Sequence, residues 1–273
     1  MKNIYFTKMQ SLGNDFVVID QLKNPIKFNK NDIKKISNRN YGIGCDQVLV
    51  LEKSEKKEIA FKYKIYNKDG TESGQCGNGA TCIGKYYFDK YGKTIKEIKI
   101  ETINRRMSLS ILKNNLIQVD MGQPLFNFEE YKSSKDFFNY KGKKYFFSAV
   151  SIGNPHAVFF VKNINKINLI YCGNDFNKKL FFIGDVNISI VEEIKKNNWL
   201  ARIHERGSGE TMACGSAACA ISLSVIKNRN NPSKNNYVHM QGGKAQVKWS
   251  GKIMEHVYLI GSSKYVFEGC YEL

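Results

Sequence analysis

The sequence lacks the segments that mark membrane or secreted proteins. No stretch approaches the run of about 18 apolar residues that a membrane-spanning helix needs, so we expect no membrane partner. The N-terminal residues, MKNIYFTKMQ, contain neither a long apolar segment nor a cleavage-type ending. An apolar content of 42% excludes an intrinsically disordered chain. We therefore expect a soluble, cytoplasmic protein.

The spacings typical of metal sites and disulfide-rich scaffolds are also missing. The seven cysteines are an odd number, no two of them are spaced C-x-x-C, and the four histidines form no finger-like pattern with them. A reducing cytosol disfavours disulfide bonds. We expect neither disulfide bonds nor a bound metal.

Acidic residues are few, at 25 against 42 basic residues, which gives a net charge of +17. Nucleic-acid-binding surfaces concentrate basic residues in patches. Here the lysines are spread along the chain, arginine is scarce and no long basic tract occurs. This distribution favours a solvated lysine-rich surface with some attraction for an anionic substrate, and no nucleic-acid partner. A non-catalytic, basic nucleic-acid-binding protein is the alternative, but it would not explain the repeats described next.

Three short segments of the first half recur in the second half in the same order. QCGNGATC (75–82) resembles MACGSAACA (212–220), which places Cys76 and Cys214 138 positions apart (214 − 76). SLGNDFVVI (11–19) resembles SIGNPHAVFFV (151–161), and GCDQVLVLE (44–52) resembles GDVNISIVEE (184–193), both at an offset of 140 (154 − 14 and 187 − 47). A nearly constant offset close to half the chain length indicates a duplicated half-chain.

The residue patterns predict a mixed α/β (α+β) fold of two pseudo-symmetric lobes, with a boundary near residue 122. AFKYKIY (60–66) alternates apolar and polar residues like a half-buried strand, and other short apolar runs also predict strands. A helical segment follows each cysteine segment and closes on Gly92 in the first half. Each lobe is thus expected to wrap mixed β-sheet around one central helix.

Both cysteines are predicted to stand at a helix N-terminus. The first turn of a helix carries unpaired N–H groups and a partial positive charge, so it attracts carboxylates and lowers the pKa of a cysteine thiol. Two such thiols related by pseudo-symmetry can remove a proton from one face of a carbon and return one to the other face. Cys76 and Cys214 therefore favour inversion at the α-carbon of an amino acid, a reaction that would demand neither a metal nor a pyridoxal cofactor.

The alternative is that Cys76 and Cys214 are small buried residues at helix starts. We expect this packing role for Cys82 and Cys219, which lie inside the helices.

Polar residues near the repeated segments could hold the rest of a substrate. Arg206 offers a fork suited to a carboxylate, and Glu205 could accept hydrogen bonds from an ammonium group, although such neighbours also form surface ion pairs. Amides at predicted strand–turn junctions could bind a ligand or merely satisfy local backbone groups. These amides are Asn14, Gln47, Asn67, Asn154 and Asn187.

Taken together, these segments resemble the diaminopimelate epimerase family. The motifs that carry the resemblance span nearly the whole chain in the family's order: GNDF (13–16), GCDQ (44–47), YNKDG (66–70), CGNG (76–79), GNPH (153–156), ERGSGET (205–211) and ACGSAACA (213–220).

The resemblance implies a cofactor-independent interconversion of LL- and meso-2,6-diaminopimelate, in lysine and peptidoglycan precursor synthesis, by a homodimeric enzyme. It implies Cys76 and Cys214 as the two acid–base residues. The other site residues that it implies fall into three groups: backbone N–H donors to the reacting carboxylate at Gly77, Asn78, Gly215 and Ser216; ligands of the distal end at Asn67, Asn154, Asn187, Glu205 and Arg206; and Asn14 and Gln47 near the substrate.

The family's fold implies two lobes that close over a cleft, and a C-terminal strand that returns to the first lobe. On this basis we expect an N-terminal lobe at residues 1–121, a C-terminal lobe at residues 122–262 and the returning strand at residues 263–273. YVFEGCYEL at the C-terminus fits that strand.

The sequence departs from the family's pattern at a few positions. Thr81 stands where arginine is common, Ser216-Ala217 replace threonine-glycine, and Cys45, where phenylalanine or alanine is frequent, adds a thiol near the predicted site. A proline racemase on a related fold is the nearest rival. The CGNG and ERGSGET motifs argue against it, and a proline-sized substrate has no distal charged end for Arg206 to bind.

Overall fold

The computed structural model describes residues 3–92, 94–133, 136–228 and 233–273. It divides into two compact units, Met1–Asp120 with Ile260–Leu273, and Met121–Leu259. Within the described ranges, no helix combines the length and the apolar character that crossing a membrane requires. The predicted mixed α+β architecture with an internal repeat is confirmed.

The first unit is a mixed β-sheet in the order β18-β1-β2-β3-β4-β6-β7-β8 with two helices, α1 and α2. The pairs β2–β3 and β4–β6 are parallel and the other pairs are antiparallel. The elements are β1 (Asn3–Ser11), β2 (Asn14–Gln21), α1 (Lys30–Ser37), β3 (Gln47–Glu52), β4 (Phe61–Asn67), β5 (Glu72–Ser73), α2 (Gly77–Tyr91), β6 (Glu97–Glu101), β7 (Arg106–Ile111), β8 (Ile117–Gly122) and β18 (Lys264–Glu272).

The second unit repeats this arrangement around α3 and α4. The strands β10 to β13, β15 and β16 pair in the same order and with the same directions as β1 to β4, β6 and β7. Its elements are β9 (Phe137–Tyr140), β10 (Lys143–Ser151), β11 (Pro155–Phe160), α3 (Leu169–Asn177), β12 (Asn187–Lys195), β13 (Asn198–Glu205), β14 (Gly209–Thr211), α4 (Gly215–Asn228), β15 (Asn235–Met240), β16 (Gly243–Lys248) and β17 (Val257–Gly261).

The duplication is visible in the strand register. Phe16 lies opposite Gln47 in the parallel pair β2–β3, and His156 lies opposite Asn187 in the parallel pair β11–β12. Both partners of the second pair are 140 positions beyond those of the first (156 − 16 and 187 − 47). The offset predicted from the short repeated segments therefore extends to the hydrogen-bonded sheet.

Among the described residues, each unit contains one α-helix more than predicted. α2 and α4 are the predicted central helices, and most of their residues are buried. α1 and α3 are only 8 and 9 residues long, too short for a clear helical repeat of apolar residues. α1 begins with a capping box in which Asn29 and Asp32 satisfy each other's backbone N–H groups.

The cores of the two units differ in composition. In the first unit, α1 packs through Ile33 and Ile36 on aliphatic residues of β1, β2 and β3. In the second unit, aromatic rings fill the space around α3, and the ring of Phe176 lies 5.2–5.4 Å from those of Phe138, Phe147 and Phe159. The sheet pairing is thus common to both halves, whereas the packing beneath it has diverged.

We expect Phe176→Ala to destabilise the second unit by about 3–5 kcal/mol, because the change removes a ring that is 1% exposed and opens a cavity among its neighbours. Urea unfolding followed by tryptophan fluorescence isolates this unit, since both tryptophans of the chain, Trp199 and Trp249, lie in it. Ile183→Ala, at a side chain that is 58% exposed, is the matched control. A midpoint for Phe176→Ala equal to that of the control would contradict this assignment of the core.

Candidate active site

The two repeated cysteines occupy equivalent positions, each immediately before a central helix. Cys76 is the N-cap residue of α2, and its sulfur accepts a hydrogen bond from the backbone N–H of Gly79 at 3.2 Å. Cys214 directly precedes α4, and the backbone N–H of Ala217 favours the ionised form of its sulfur. Gly79 and Ala217 are again 138 positions apart (217 − 79). In each unit the sulfur therefore takes the place of the oxygen of an ordinary N-cap residue.

The residues predicted to donate N–H groups to a carboxylate begin the two central helices. Gly77 and Asn78 begin α2, and Gly215 and Ser216 begin α4, so their N–H groups have no acceptor within the helix. The partial positive charge at each N-terminus favours a carboxylate beside the sulfur.

The expectation of a lowered thiol pKa is wrong for Cys214. Burial raises the pKa of Cys214 well above its ordinary value, and the negative charge of Glu205 raises it further. The Ser216 hydroxyl, 3.4 Å from the sulfur, and the Ala217 N–H act in the opposite direction but do not compensate. At neutral pH Cys214 is therefore a thiol, because removing an ion from water outweighs one helix terminus.

The predicted amides of the first unit lie at one end of its sheet. Asn14 and Gln47 begin the parallel strands β2 and β3, and Asn67 ends the antiparallel strand β4 opposite Gln47. The Gln47 amide nitrogen donates to the Asn67 oxygen at 2.9 Å, and the Asn67 nitrogen donates to Thr71 at 3.1 Å. The Gln47 side-chain oxygen is buried and accepts no hydrogen bond from the described residues. This end of the sheet therefore presents an amide acceptor that still lacks a donor.

An ionic network that the sequence reading missed holds Asn14. The Asn14 nitrogen donates to Asp46 at 2.7 Å, which turns the Asn14 side-chain oxygen away from that carboxylate. Arg39 binds both oxygens of Asp15, at 3.0 and 2.7 Å, and one oxygen of Asp46 at 3.0 Å. Burial alone would raise the pKa of Asp15, but hydrogen bonds from Arg39 and Lys8 hold it far below its usual range. The GCDQ motif could have indicated this network, because Asp46 stands directly before the predicted site residue Gln47.

The predicted residues of the second unit gather at the equivalent end of its sheet. Asn187 begins β12 and accepts the backbone N–H of Arg206 at 3.0 Å, while the Arg206 side chain is exposed. Glu205 ends β13 and accepts a hydrogen bond from Thr211 at 2.6 Å. Glu205 stands 138 positions after Asn67 (205 − 67), so the second unit carries a carboxylate where the first unit carries an amide.

His156 is a further residue that the sequence alone did not single out. It follows Asn154 in the GNPH motif, is fully buried, and its Nε2 lies 3.2 Å from the Asn154 oxygen and 3.1 Å from the Ser216 hydroxyl. Burial, helped by the charge of Arg206, lowers the pKa of His156 to about 3. The neutral ring therefore links Asn154 to the first turn of α4.

The remaining cysteines are packing residues or surface residues. Cys82 and Cys219 are fully buried inside α2 and α4, as predicted. Cys45 lies in the core of the first unit, where burial raises its pKa to about 11. Among the described residues, no group of three or more histidine, cysteine, aspartate and glutamate side chains could hold a metal ion.

The amino-acid sequence of the chain matches a known family. The model of the family described as "Diaminopimelate epimerase" matches residues 6–126 and 148–266. The chain belongs to the diaminopimelate epimerase family. It is 37% identical to the diaminopimelate epimerase of Blochmanniella floridana, over 98% of this chain and 99% of that protein. It is also 37% identical to that of Carboxydothermus hydrogenoformans, with the same two coverages.

Solved structures share the family's fold at low sequence identity. A PhzF-family phenazine biosynthesis protein from Bacillus anthracis superimposes with a TM-score of 0.76 at 15% identity and covers 100% of both chains. A hydroxyproline epimerase from Agrobacterium vitis superimposes with a TM-score of 0.73 at 9% identity, over 99% of this chain and 91% of that one. At these identities the likeness is one of fold alone.

The departure from the family's pattern at Thr81 has a structural basis. Thr81 is buried in α2, and its hydroxyl lies 3.0 Å from that of Ser11 and 2.7 Å from the Asn78 carbonyl. Ser263 donates to the Thr81 carbonyl at 3.1 Å. Small hydroxyl residues fill this space, so Thr81 anchors α2 to the strand ends.

We expect Glu205→Gln to lower the pKa of Cys214, because it removes a negative charge that opposes ionisation of the thiol. A shift of one unit would raise the alkylation rate of Cys214 at neutral pH roughly tenfold. Mass spectrometry of iodoacetamide-treated protein across a pH series measures this rate. Glu210→Gln is the control, since Glu210 is paired with Arg202 at 2.7 Å. An unchanged or higher pKa in Glu205→Gln would contradict the assignment.

Proposed function

We propose that this protein is a cytoplasmic epimerase that interconverts LL- and meso-2,6-diaminopimelate, with Cys76 and Cys214 as its two acid–base residues and with no cofactor. The observation that carries this proposal is the equivalent pair of helix-capping sulfurs in a duplicated chain of the diaminopimelate epimerase family. The reaction would serve the synthesis of lysine and of peptidoglycan precursors.

The proposed chemistry is a proton transfer through a carbanion. One sulfur, as thiolate, removes the α-proton, and the other, as thiol, delivers a proton to the opposite face of the carbon. The raised pKa of Cys214 favours its thiol form, which is the form in which a sulfur donates a proton. After one turnover the proton has moved between the sulfurs, so the roles are reversed for the returning isomer.

The charge that develops on the reacting carboxylate needs stabilisation in the transition state. N–H groups aimed at developing negative charge are among the strongest contributions to such catalysis. We assign this task to the first-turn N–H groups of α2 and α4, which lie beside the capping sulfurs. The residues are Gly77, Asn78, Gly215 and Ser216.

The distal amino-acid end of the substrate carries one ammonium group and one carboxylate. The exposed guanidinium of Arg206 suits the carboxylate, and the Glu205 carboxylate suits the ammonium group. We assign the remaining contacts to Asn67, Asn154 and Asn187, with Asn14 and Gln47 also near the substrate. The unsatisfied oxygen of Gln47 calls for a donor such as an ammonium group.

We further propose a homodimer formed through β1 and β18. Large apolar side chains stand exposed on this pair of strands: Tyr5 is 76% exposed, Val266 55% and Phe267 49%. Exposed apolar side chains of this size along one pair of strands are a feature of interaction surfaces. A second copy of the chain is the partner that would bury them.

The reaction is tested by proton exchange. Incubation with LL-diaminopimelate in deuterated water, without added cofactor, should yield the meso isomer with deuterium at the inverted α-carbon, as measured by NMR and chiral chromatography. We expect Cys76→Ala and Cys214→Ala each to lose at least a thousandfold in rate, since each removes one of two obligatory proton carriers. Cys270→Ala, at an exposed cysteine, is the control and should retain activity.

Two outcomes would reject parts of this function. Epimerisation that survives in either cysteine variant would reject the two-base mechanism. Absence of exchange in fully reduced protein would reject diaminopimelate as the substrate, and proline-type amino acids would then be tested.

The homodimer is tested by sedimentation velocity. The protein should sediment at twice the chain mass of 31.2 kDa, and Phe267→Asp should shift it to the monomer, because a buried unpaired charge opposes association. Tyr41→Asp, at a loop side chain that is 88% exposed, is the control. A monomeric wild-type protein at micromolar concentration would refute the dimer.

A further inference from the structure

A buried tyrosine hydroxyl next to the first helix-capping cysteine has no role in the chemistry above. Tyr63 lies in the middle of β4 and is 1% exposed. Its hydroxyl has no hydrogen-bond partner anywhere in the described part of the chain. A buried polar group without a partner costs folding free energy, and phenylalanine would fill the same space without that cost. The hydroxyl therefore calls for an explanation other than packing.

The position of Gly79 shows how close this hydroxyl lies to Cys76. A Cβ atom built on Gly79 would stand 2.3 Å from the Tyr63 oxygen and 3.2 Å from the Cys76 sulfur. The oxygen and the sulfur are thus at most 5.5 Å apart (2.3 + 3.2). The absence of a side chain at Gly79 leaves the space in which the hydroxyl and the sulfur face the first turn of α2.

The second unit lacks this arrangement. At the offset of 138, Ala201 replaces Tyr63 (201 − 63) and Ala217 replaces Gly79 (217 − 79), and both alanines are buried. The equivalent sheet and helix of the second unit are thus packed with two small residues. The first unit has Tyr63 and Gly79 where the second unit has two alanines. Tyr63 brings a hydroxyl to Cys76, whereas Ala201, at the equivalent strand position beside Cys214, offers none.

The hydroxyl can act as a donor throughout the neutral range. Burial, and then the negative charge of an ionised Cys76, raises the pKa of Tyr63 well above its ordinary value. Tyr63 therefore keeps its proton when Cys76 is ionised, and cannot replace the cysteine as a base. A thiolate is a much better hydrogen-bond acceptor than a thiol, so a donor at this place favours the ionised sulfur.

We propose that Tyr63 is a positioning residue for Cys76, and that its hydroxyl donates a hydrogen bond to the Cys76 sulfur when that sulfur is a thiolate. The contact stabilises and orients the base of the first unit, and it makes the two cysteines chemically unequal. This inference rests on the proposed role of Cys76 as an acid–base residue.

The test is the pH dependence of Cys76 alkylation in Tyr63→Phe, measured on the whole protein with iodoacetamide and mass spectrometry. We expect the apparent pKa of Cys76 to rise by about one unit, which corresponds to about a tenfold slower reaction below that pKa. With substrate, kcat should fall by a similar factor while KM stays constant. The thermal midpoint should not fall, because the substitution removes only an unpartnered oxygen. An unchanged Cys76 profile in folded Tyr63→Phe would overturn the proposal.

Tyr140→Phe is the matched control. Tyr140 is also buried, at 4% exposure, and its hydroxyl also lacks a partner among the described residues, but it lies in the aromatic core of the second unit. This substitution should leave the titration of Cys76 unchanged. An equal shift in both variants would show a general effect of losing a buried hydroxyl, and would overturn the specific contact.

A second substitution changes the donor strength without removing the hydroxyl. Difluorotyrosine at position 63 is a more acidic phenol and a stronger donor, so it should lower the apparent pKa of Cys76. A rise would overturn the proposal.

The titration needs no substrate, and the two proposals can therefore fail separately. A shifted titration in a protein that is inactive on diaminopimelate rejects only the proposed function. An active protein with an unshifted titration rejects only the role of Tyr63.

Discussion

The candidate site depends on a hydrogen bond in which a cysteine sulfur, rather than an oxygen, caps a helix. In α2 the bond joins the Cys76 sulfur to the Gly79 N–H, and in α4 the Cys214 sulfur accepts from the equivalent residue. The cap fixes each sulfur beside the unpaired N–H groups of the first turn. The sulfur and the N–H groups that attract a carboxylate are thereby held on one short stretch of backbone. Any change that moves the helix start moves both together.

The duplication supplies two such caps on closely similar backbones, and the side chains around them have diverged. The last residue of β4 is an amide, Asn67, whereas the last residue of β13 is a carboxylate, Glu205. Behind the sulfurs, Tyr63 has a small alanine as its counterpart. The backbone is therefore symmetric while the electrostatic environment is not. The proposed proton exchange between two faces of one carbon requires the first property, and holding the distal end of the substrate away from the reacting carbon uses the second.

Burial, more than the helix N-terminus, sets the protonation states of this site. It raises the pKa of the Cys214 thiol and lowers that of the His156 imidazole to about 3, so both groups are neutral at physiological pH. Asp15 shows the opposite balance, because contacts from Arg39 and Lys8 outweigh the cost of burying its charge. Charge is thus retained where a cation is in contact, and is lost where desolvation has no such compensation.

The sequence by itself determined the features that depend on local pattern: the repeat, the central helices that follow Cys76 and Cys214, and the polar residues at strand ends. It did not predict α1 and α3, which are too short for a clear periodic signal. Only the tertiary structure decided the contacts of Asp46 with Asn14, 32 positions away, and of His156 with Ser216, 60 positions away. It also decided the pKa of Cys214, since burial arises from packing between segments that are remote in the chain.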